Sequence, residues 1–158
     1  MNDDGFQIAH RGGGYISIDC TAVPDLLFSL GSVPEILTLR ETGPAQARLY
    51  PDVQPGHAEE NLQWHETMDD DLRHLFESAS DTLARDLDAV EGDRVRFPEK
   101  NLPAWMSAIN QARLILGEVH AIREADMARR DLNVKSPRDL SILHVHMLGA
   151  LLEALIRV

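Results

Sequence analysis

Residues 58–90 read AEENLQWHETMDDDLRHLFESASDTLARDLDAV, and this stretch decides the fold class. At about 100° per residue, Leu62, Leu72, Phe76, Ala79, Leu83, Leu87 and Val90 fall on one stripe. A strand would alternate in twos, so the stretch is an amphipathic helix over 58–89, closed by Glu91-Gly92-Asp93. Such a stripe needs partners, and the flanking sequence supplies them.

Downstream, a second long helix starts between Pro98 and Leu102 and runs to about Ile122. Leu102, Trp105, Ile109, Ala112, Leu116 and Val119 make its main face, while Leu114, Ile115 and Ile122 lie elsewhere on the wheel. Apolar positions spread that widely mark a central helix packed on more than one side. A last helix opens with Ser136 as N-cap, Pro137 at N1 and Asp139 at N3. Its apolar positions, from Leu140 to Ile156, cover more than half the wheel. The extra width fits a homodimer face or a crowded core, and the expectation drawn from it is a homodimer.

Upstream, Val23, Leu26, Leu27 and Leu30 form a first helix, with Thr21 or Asp19 as its cap and Pro24 in its first turn. Gly31, Ser32 and Pro34 interrupt it before Ile36, Leu37 and Leu39, so a broken or kinked helix is expected. Residues 41–57, with three prolines and two glycines, read as a connecting loop holding a turn of helix near 46–49. At the N-terminus, Phe6, Ile8 and His10 alternate, Gly12-Gly13-Gly14 turns the chain, and Ile16 and Ile18 resume the alternation. That is a β-hairpin, and Arg94-Val95-Arg96-Phe97 offers it a third strand. The fold expected is mainly α: three long helices, a short or kinked N-terminal helix and a small antiparallel hairpin, in one domain over 1–158.

Composition limits the function. With 15 basic and 26 acidic residues the net charge is −11, a field that repels phosphate backbones and anionic membrane surfaces. The most basic segment, Arg123 to Lys135, is diluted by Glu124, Asp126 and Asp131, so nucleic acid is not the expected partner. Cys20 is the single cysteine, which rules out an intrachain disulfide and fits a reducing, cytoplasmic setting. The start Met-Asn-Asp-Asp is not that of a signal peptide, and the apolar run Met147 to Ile156 is too short to span a bilayer.

Several pieces carry a family resemblance. Ala104 to Gly117, AWMSAINQARLILG, resembles the tryptophan, asparagine, arginine-leucine-x-leucine-glycine block of an actinobacterial family catalogued as domain of unknown function two thousand and seventeen. Arg48-Leu49-Tyr50-Pro51 is similar to its arginine-leucine-aromatic-proline motif, and Asp70-Asp71-Leu72-Arg73 to its acidic-leucine-arginine step. Leu148 to Leu155, LGALLEAL, is similar to its closing helix. Where that family often has aromatics near the start of the final motif, this chain reads His144-Val145-His146-Met147. The resemblance implies a protein with no assigned activity. It also implies genomic neighbours that include the adaptor of the Clp protease and a small sulfur-carrier system, and a regulator label borne by some members.

The chemistry-bearing residues are few. His65-Glu66-Thr67-Met68-Asp69 resembles a zincin helix with aspartate in place of the second histidine, and the sequence offers no third ligand, so no metal or other cofactor is expected. His65 and Asp69 sit within the apolar stripe between Leu62 and Leu72. Arg113 and His120 edge the main face of the central helix, and His144 lies amid the apolar arc of the last. These five form a candidate inward-facing polar cluster, with Asp69 the expected carboxylate partner of Arg113. Its function is either a structural network or a pocket for a small anion or metal. The run Arg11-Gly12-Gly13-Gly14 lacks the lysine and helix of a phosphate loop and reads as a turn. Cys20, with no base nearby in sequence, reads as a buried, inert thiol. With no catalytic signature, the chain is expected to be a non-enzymatic interaction or regulatory module. The alternatives are a ligand-binding or enzymatic bundle and a transcriptional regulator.

Overall fold

The computed structural model describes residues 5–11 and 13–158. Gly12, the first glycine of the expected turn, and the Met-Asn-Asp-Asp start lie outside them. The hairpin pairs β1 (Gln7–Arg11) with β2 (Tyr15–Asp19), antiparallel, His10 opposite Ile16. Gly13 and Gly14 both take positive φ between them, a conformation that needs no Cβ. The third strand is present: β3 (Arg94–Pro98) pairs with β2, Ile18 opposite Val95 and Ile16 opposite Phe97. The alternation sends Ile16, Ile18, Val95 and Phe97 to one fully buried face. Trp105 covers that face, its ring stacked on Phe97 at 4.1 Å. Its indole Nε1 donates to Asp86 Oδ2 at 2.8 Å, so the buried donor is satisfied.

The helices are α1 (Pro24–Leu37), α2 (Gly43–Leu49), α3 (Ala58–Leu87), α4 (Leu102–Val119), the short α5 (Glu124–Met127) and α6 (Pro137–Ile156). The molecule is thus mainly helical with a small antiparallel sheet. Four elements, α1, α2, α3 and α6, pack on α4, which explains its broad apolar wheel. Trp105, Ala108, Ile109, Ala112, Ile115 and Leu116 are buried there.

Three local expectations change. α1 is not broken but runs on through Gly31 and Pro34, because Leu26, Leu30, Val33 and Leu37 are all buried and their packing outweighs the lost backbone bond at proline. Its N-cap is Val23, with no side-chain cap; Asp19 Oδ1 instead accepts from the Thr21 amide and hydroxyl, closing the turn before it. The apolar element at the C-terminus is the whole 20-residue α6, long and apolar enough to cross a membrane by length and composition, yet half of that stretch is buried within the fold. The Ser136 cap forms as the sequence suggests, its Oγ accepting from the Asp139 amide.

The width of α6 also has an internal use. Ile142, Val145, Leu148, Leu151 and Leu155 are buried, and Met147, Ala150 and Leu152 pack at the core's edge. Only Ile156 and Val158 remain as exposed large apolar residues at this end. Much of the wide arc is thus taken up by the chain's own core. Two arginines at the start of α6 and just before it are paired: Arg129 grips Asp139 through two bonds of 2.9 and 3.0 Å, and Arg138 grips Asp126 at 2.7 and 3.0 Å.

Candidate functional site

Polar chemistry concentrates where the loop after α2 meets the first half of α3. Asn61, buried, accepts the Gln54 amide at 2.9 Å and donates to the Gln54 carbonyl at 2.8 Å. One turn on, His65 Nδ1 lies 2.9 Å from Asp69 Oδ1, and Nε2 lies 2.8 Å from Asp52 Oδ1. Two turns further, Arg73 Nε donates to Glu41 Oε1 at 3.0 Å and its NH1 to Asp70 Oδ1 at 2.7 Å. Tyr50 OH donates to the same Glu41 oxygen at 2.7 Å, and the Arg73 guanidinium sits 5.4 Å from the Tyr50 ring centre. Residues at i, i+4 and i+12 of one helix face, Asn61, His65 and Arg73, thus clasp the incoming chain. An open cleft of about 370 Å³ lies among Gln46, Tyr50, Asp52, His65 and Asp69.

The electrostatics follow from the contacts. Hydrogen bonds to Asp52, then to Asp69, raise the His65 pKa. With both ring nitrogens facing carboxylates, the cationic form is favoured more than in an ordinary histidine, and in that form the ring has no lone pair for a metal or for general-base work. Among the described residues no group of three His, Cys, Asp or Glu side chains is placed to hold a metal. Glu41 is partly desolvated, which raises its pKa, but its bonds to Arg73 and Tyr50 outweigh this and the net shift is downward. Burial and the Glu41 carboxylate push the Tyr50 phenol strongly up, so it acts as a donor and not as a base.

The five sequence candidates separate into three places. His65 and Asp69 form the clasp with each other. Arg113 does not pair with Asp69, which His65 occupies. It lies under α6, with its guanidinium 3.4 Å from where a Cβ on Gly149 would stand, and its Nε has no hydrogen-bond partner among the described residues. A Cβ at 149 would meet this flat cation at ordinary van der Waals distance. His120 caps α4 and His144 sits in the first half of α6, and both line a separate cleft with Phe28 and Leu39. Cys20 is fully buried, and burial pushes its thiol up to about 11, consistent with an inert group.

Sequence reasoning missed Glu41, Tyr50, Asp52 and Arg73, although two of them stand in quoted motifs. The structure brings those motifs together: Tyr50 of Arg48–Pro51 meets Arg73 of Asp70–Arg73. It does the same for Arg113 of the central block and Gly149 of the closing helix. Arg40 was also missed. It is 7% exposed and donates to Gln111 Oε1 at 2.9 Å and Ser80 Oγ at 2.6 Å, a buried cation held by neutral acceptors and the Phe76 ring.

The family model described as Domain of unknown function (DUF2017) matches residues 26–158. The chain belongs to that family. No curated protein and no solved structure matches it. The DUF2017 match begins within α1, so β1 and β2 lie outside it, while β3 and every residue of the clasp lie inside.

Proposed function

We propose that this DUF2017 chain is a non-enzymatic protein-interaction module that receives a cationic segment of a partner protein on the first half of α3. One observation carries the reading. Ala58–Asp71 holds six carboxylates and no lysine or arginine, yet Leu62 is 59% exposed and Trp64 38% exposed on it, with Val53 of the clasped loop exposed alongside. An exposed tryptophan among apolar neighbours is the residue type that anchors protein interfaces. The surrounding carboxylates select a basic partner and speed its approach. A second copy of the chain would bring six like charges against six, so the partner is a different protein. The clasp of Asn61, His65 and Arg73 fixes the loop and helix as one preformed surface.

A photo-reactive phenylalanine at Gln63, beside Trp64, tests this in native host cells, with the same group at Ser78 as the exposed comparison on α3. The expected result is a salt-sensitive adduct at position 63 whose cross-linked peptide is rich in lysine and arginine. No adduct above that at position 78, or an adduct with the chain itself, overturns the proposal.

A further inference from the structure

We propose that the cleft between α1, the C-terminal end of α4 and the first half of α6 binds a neutral, phenol-type small molecule. The cleft measures about 320 Å³, at the lower end of the range for small-molecule sites. Five apolar side chains make up much of its wall: Phe28, Ile36 and Leu39 from α1 and the turn after it, with Leu116 and Leu140 opposite. Phe28 is 58% exposed and Leu39 is also exposed, so the rim presents an aromatic and a branched face with nothing over them. Neither belongs to the α3 surface, and this inference stands apart from the interaction reading.

His144 supplies the polar group. It is 6% exposed, its ring lies 5.5 Å from that of Phe28, and its Nδ1 is buried without a hydrogen-bond partner among the described residues. An unpaired buried polar atom is costly, and native proteins leave few of them. Burial lowers the His144 pKa, against a smaller opposing pull from Asp25, so the ring is favoured neutral. A neutral imidazole has one donor and one acceptor nitrogen, and no hydrogen bond to His144 Nδ1 among the described residues fixes which is which. A hydroxyl both donates and accepts, so it pairs with either tautomer.

The other polar groups narrow the class. The hydroxyls of Ser32, Thr38 and Ser141 donate to carbonyls of their own turns, at 3.0, 2.6 and 3.0 Å, and have only acceptor capacity left. Among the described residues no lysine or arginine lines the cleft; besides the two imidazoles of His120 and His144 its one ionisable group is the Glu35 carboxylate, which disfavours an anion. A cation would shed its hydration against apolar walls with only the exposed Glu35 as counter-charge. An aromatic ring seated against Phe28 and Leu39, with a hydroxyl at His144, meets every constraint.

The test uses the full chain and three probes, p-cresol, toluene and 4-methylbenzoate, followed by NMR of the His144 and Phe28 rings. p-Cresol is expected to shift both rings and to bind about 3- to 10-fold more tightly than toluene, the worth of one net hydrogen bond. 4-Methylbenzoate is expected to bind more weakly than either. His144→Leu should bring p-cresol and toluene to near-equal affinity while toluene still binds, and Leu39→Trp, filling the cleft from its exposed rim, should abolish both. Absence of p-cresol shifts at millimolar concentration, a preference that survives His144→Leu, or binding unchanged in Leu39→Trp would each overturn the proposal.

Discussion

The two halves of α3 are one continuous helix held by different forces. From Leu72 onward, Leu72, Phe76, Leu83 and Leu87 join the core, and Leu83 is fully buried against it. Before Leu72, no apolar side chain of the helix belongs to the core; Leu62 and Trp64 are exposed, and the helix is tied down by Asn61, His65 and Asp69. Apolar burial is strong and undirected, whereas the clasp is weaker per contact and fixes geometry. The surface proposed to receive a partner is thus held in shape by directional polar contacts and not by burial.

The sharpest way to break this comparison is to cut one leucine from each half. Leu83→Ala should lower stability by about 2–5 kcal/mol, because it removes buried methyl groups and leaves a cavity. Leu62→Ala should change stability by less than about 0.5 kcal/mol. Urea midpoints at constant slope measure both. Equal losses would mean that the first half is packed after all. Next in size is Asp86→Ala in the apolar half. Asp86 Oδ2 accepts from Asn101 Nδ2 at 3.0 Å and from Trp105 Nε1 at 2.8 Å. Stranding that buried indole donor should cost about 1–3 kcal/mol, read from the same curves.

How much of this was legible in the sequence differs between the same two halves. Periodicity located the stripe from Leu72 to Val90, the central helix around Trp105 and the alternating strands, because burial repeats with the backbone. It also placed Leu62 on the inward stripe, and there it misled. Periodicity says which way a side chain faces but not whether anything stands opposite, and opposite Leu62 the protein has ended. Arg113 failed for a related reason. Asp69 is taken by His65 one turn away on the same helix, and Arg113 lies against Gly149 of α6. The meeting of Tyr50 with Arg73 and of Arg113 with Gly149 depends on how helices cross, which no single-helix pattern encodes. The breadth of α6 was visible, and part of it is used by the packing of α1 and α4 against it, a crossing that no single-helix pattern encodes.

A smaller effect comes from Asn61→Ala, which removes both bonds to Gln54 and should cost about 1 kcal/mol. Its clearer signature is local. Amide exchange at residues 52–57 should quicken while that of residues 76–87 does not change. Uniform quickening would show that the two halves open together.

The smallest effect, and the most diagnostic of a charged clasp, belongs to His65. Its bonds to Asp52 and Asp69 raise its folded pKa above the ordinary histidine value. A raised pKa means that the folded state holds its proton more tightly than the unfolded chain does. The stabilisation is therefore complete below the unfolded value of about 6.5 and fades as pH rises through the folded value. His65→Gln keeps a polar side chain but cannot titrate. The gap in Tm between the native protein and this variant should be widest near pH 5.5 to 6 and close with rising pH, by an amount set between about pH 6 and 8. Asp52→Asn removes the larger cause of the raised pKa and should move the closing of that gap to lower pH. A gap that stays constant across this range would mean that His65 acts through shape alone, and the polar half of α3 would then be held by neutral hydrogen bonds and by Arg73.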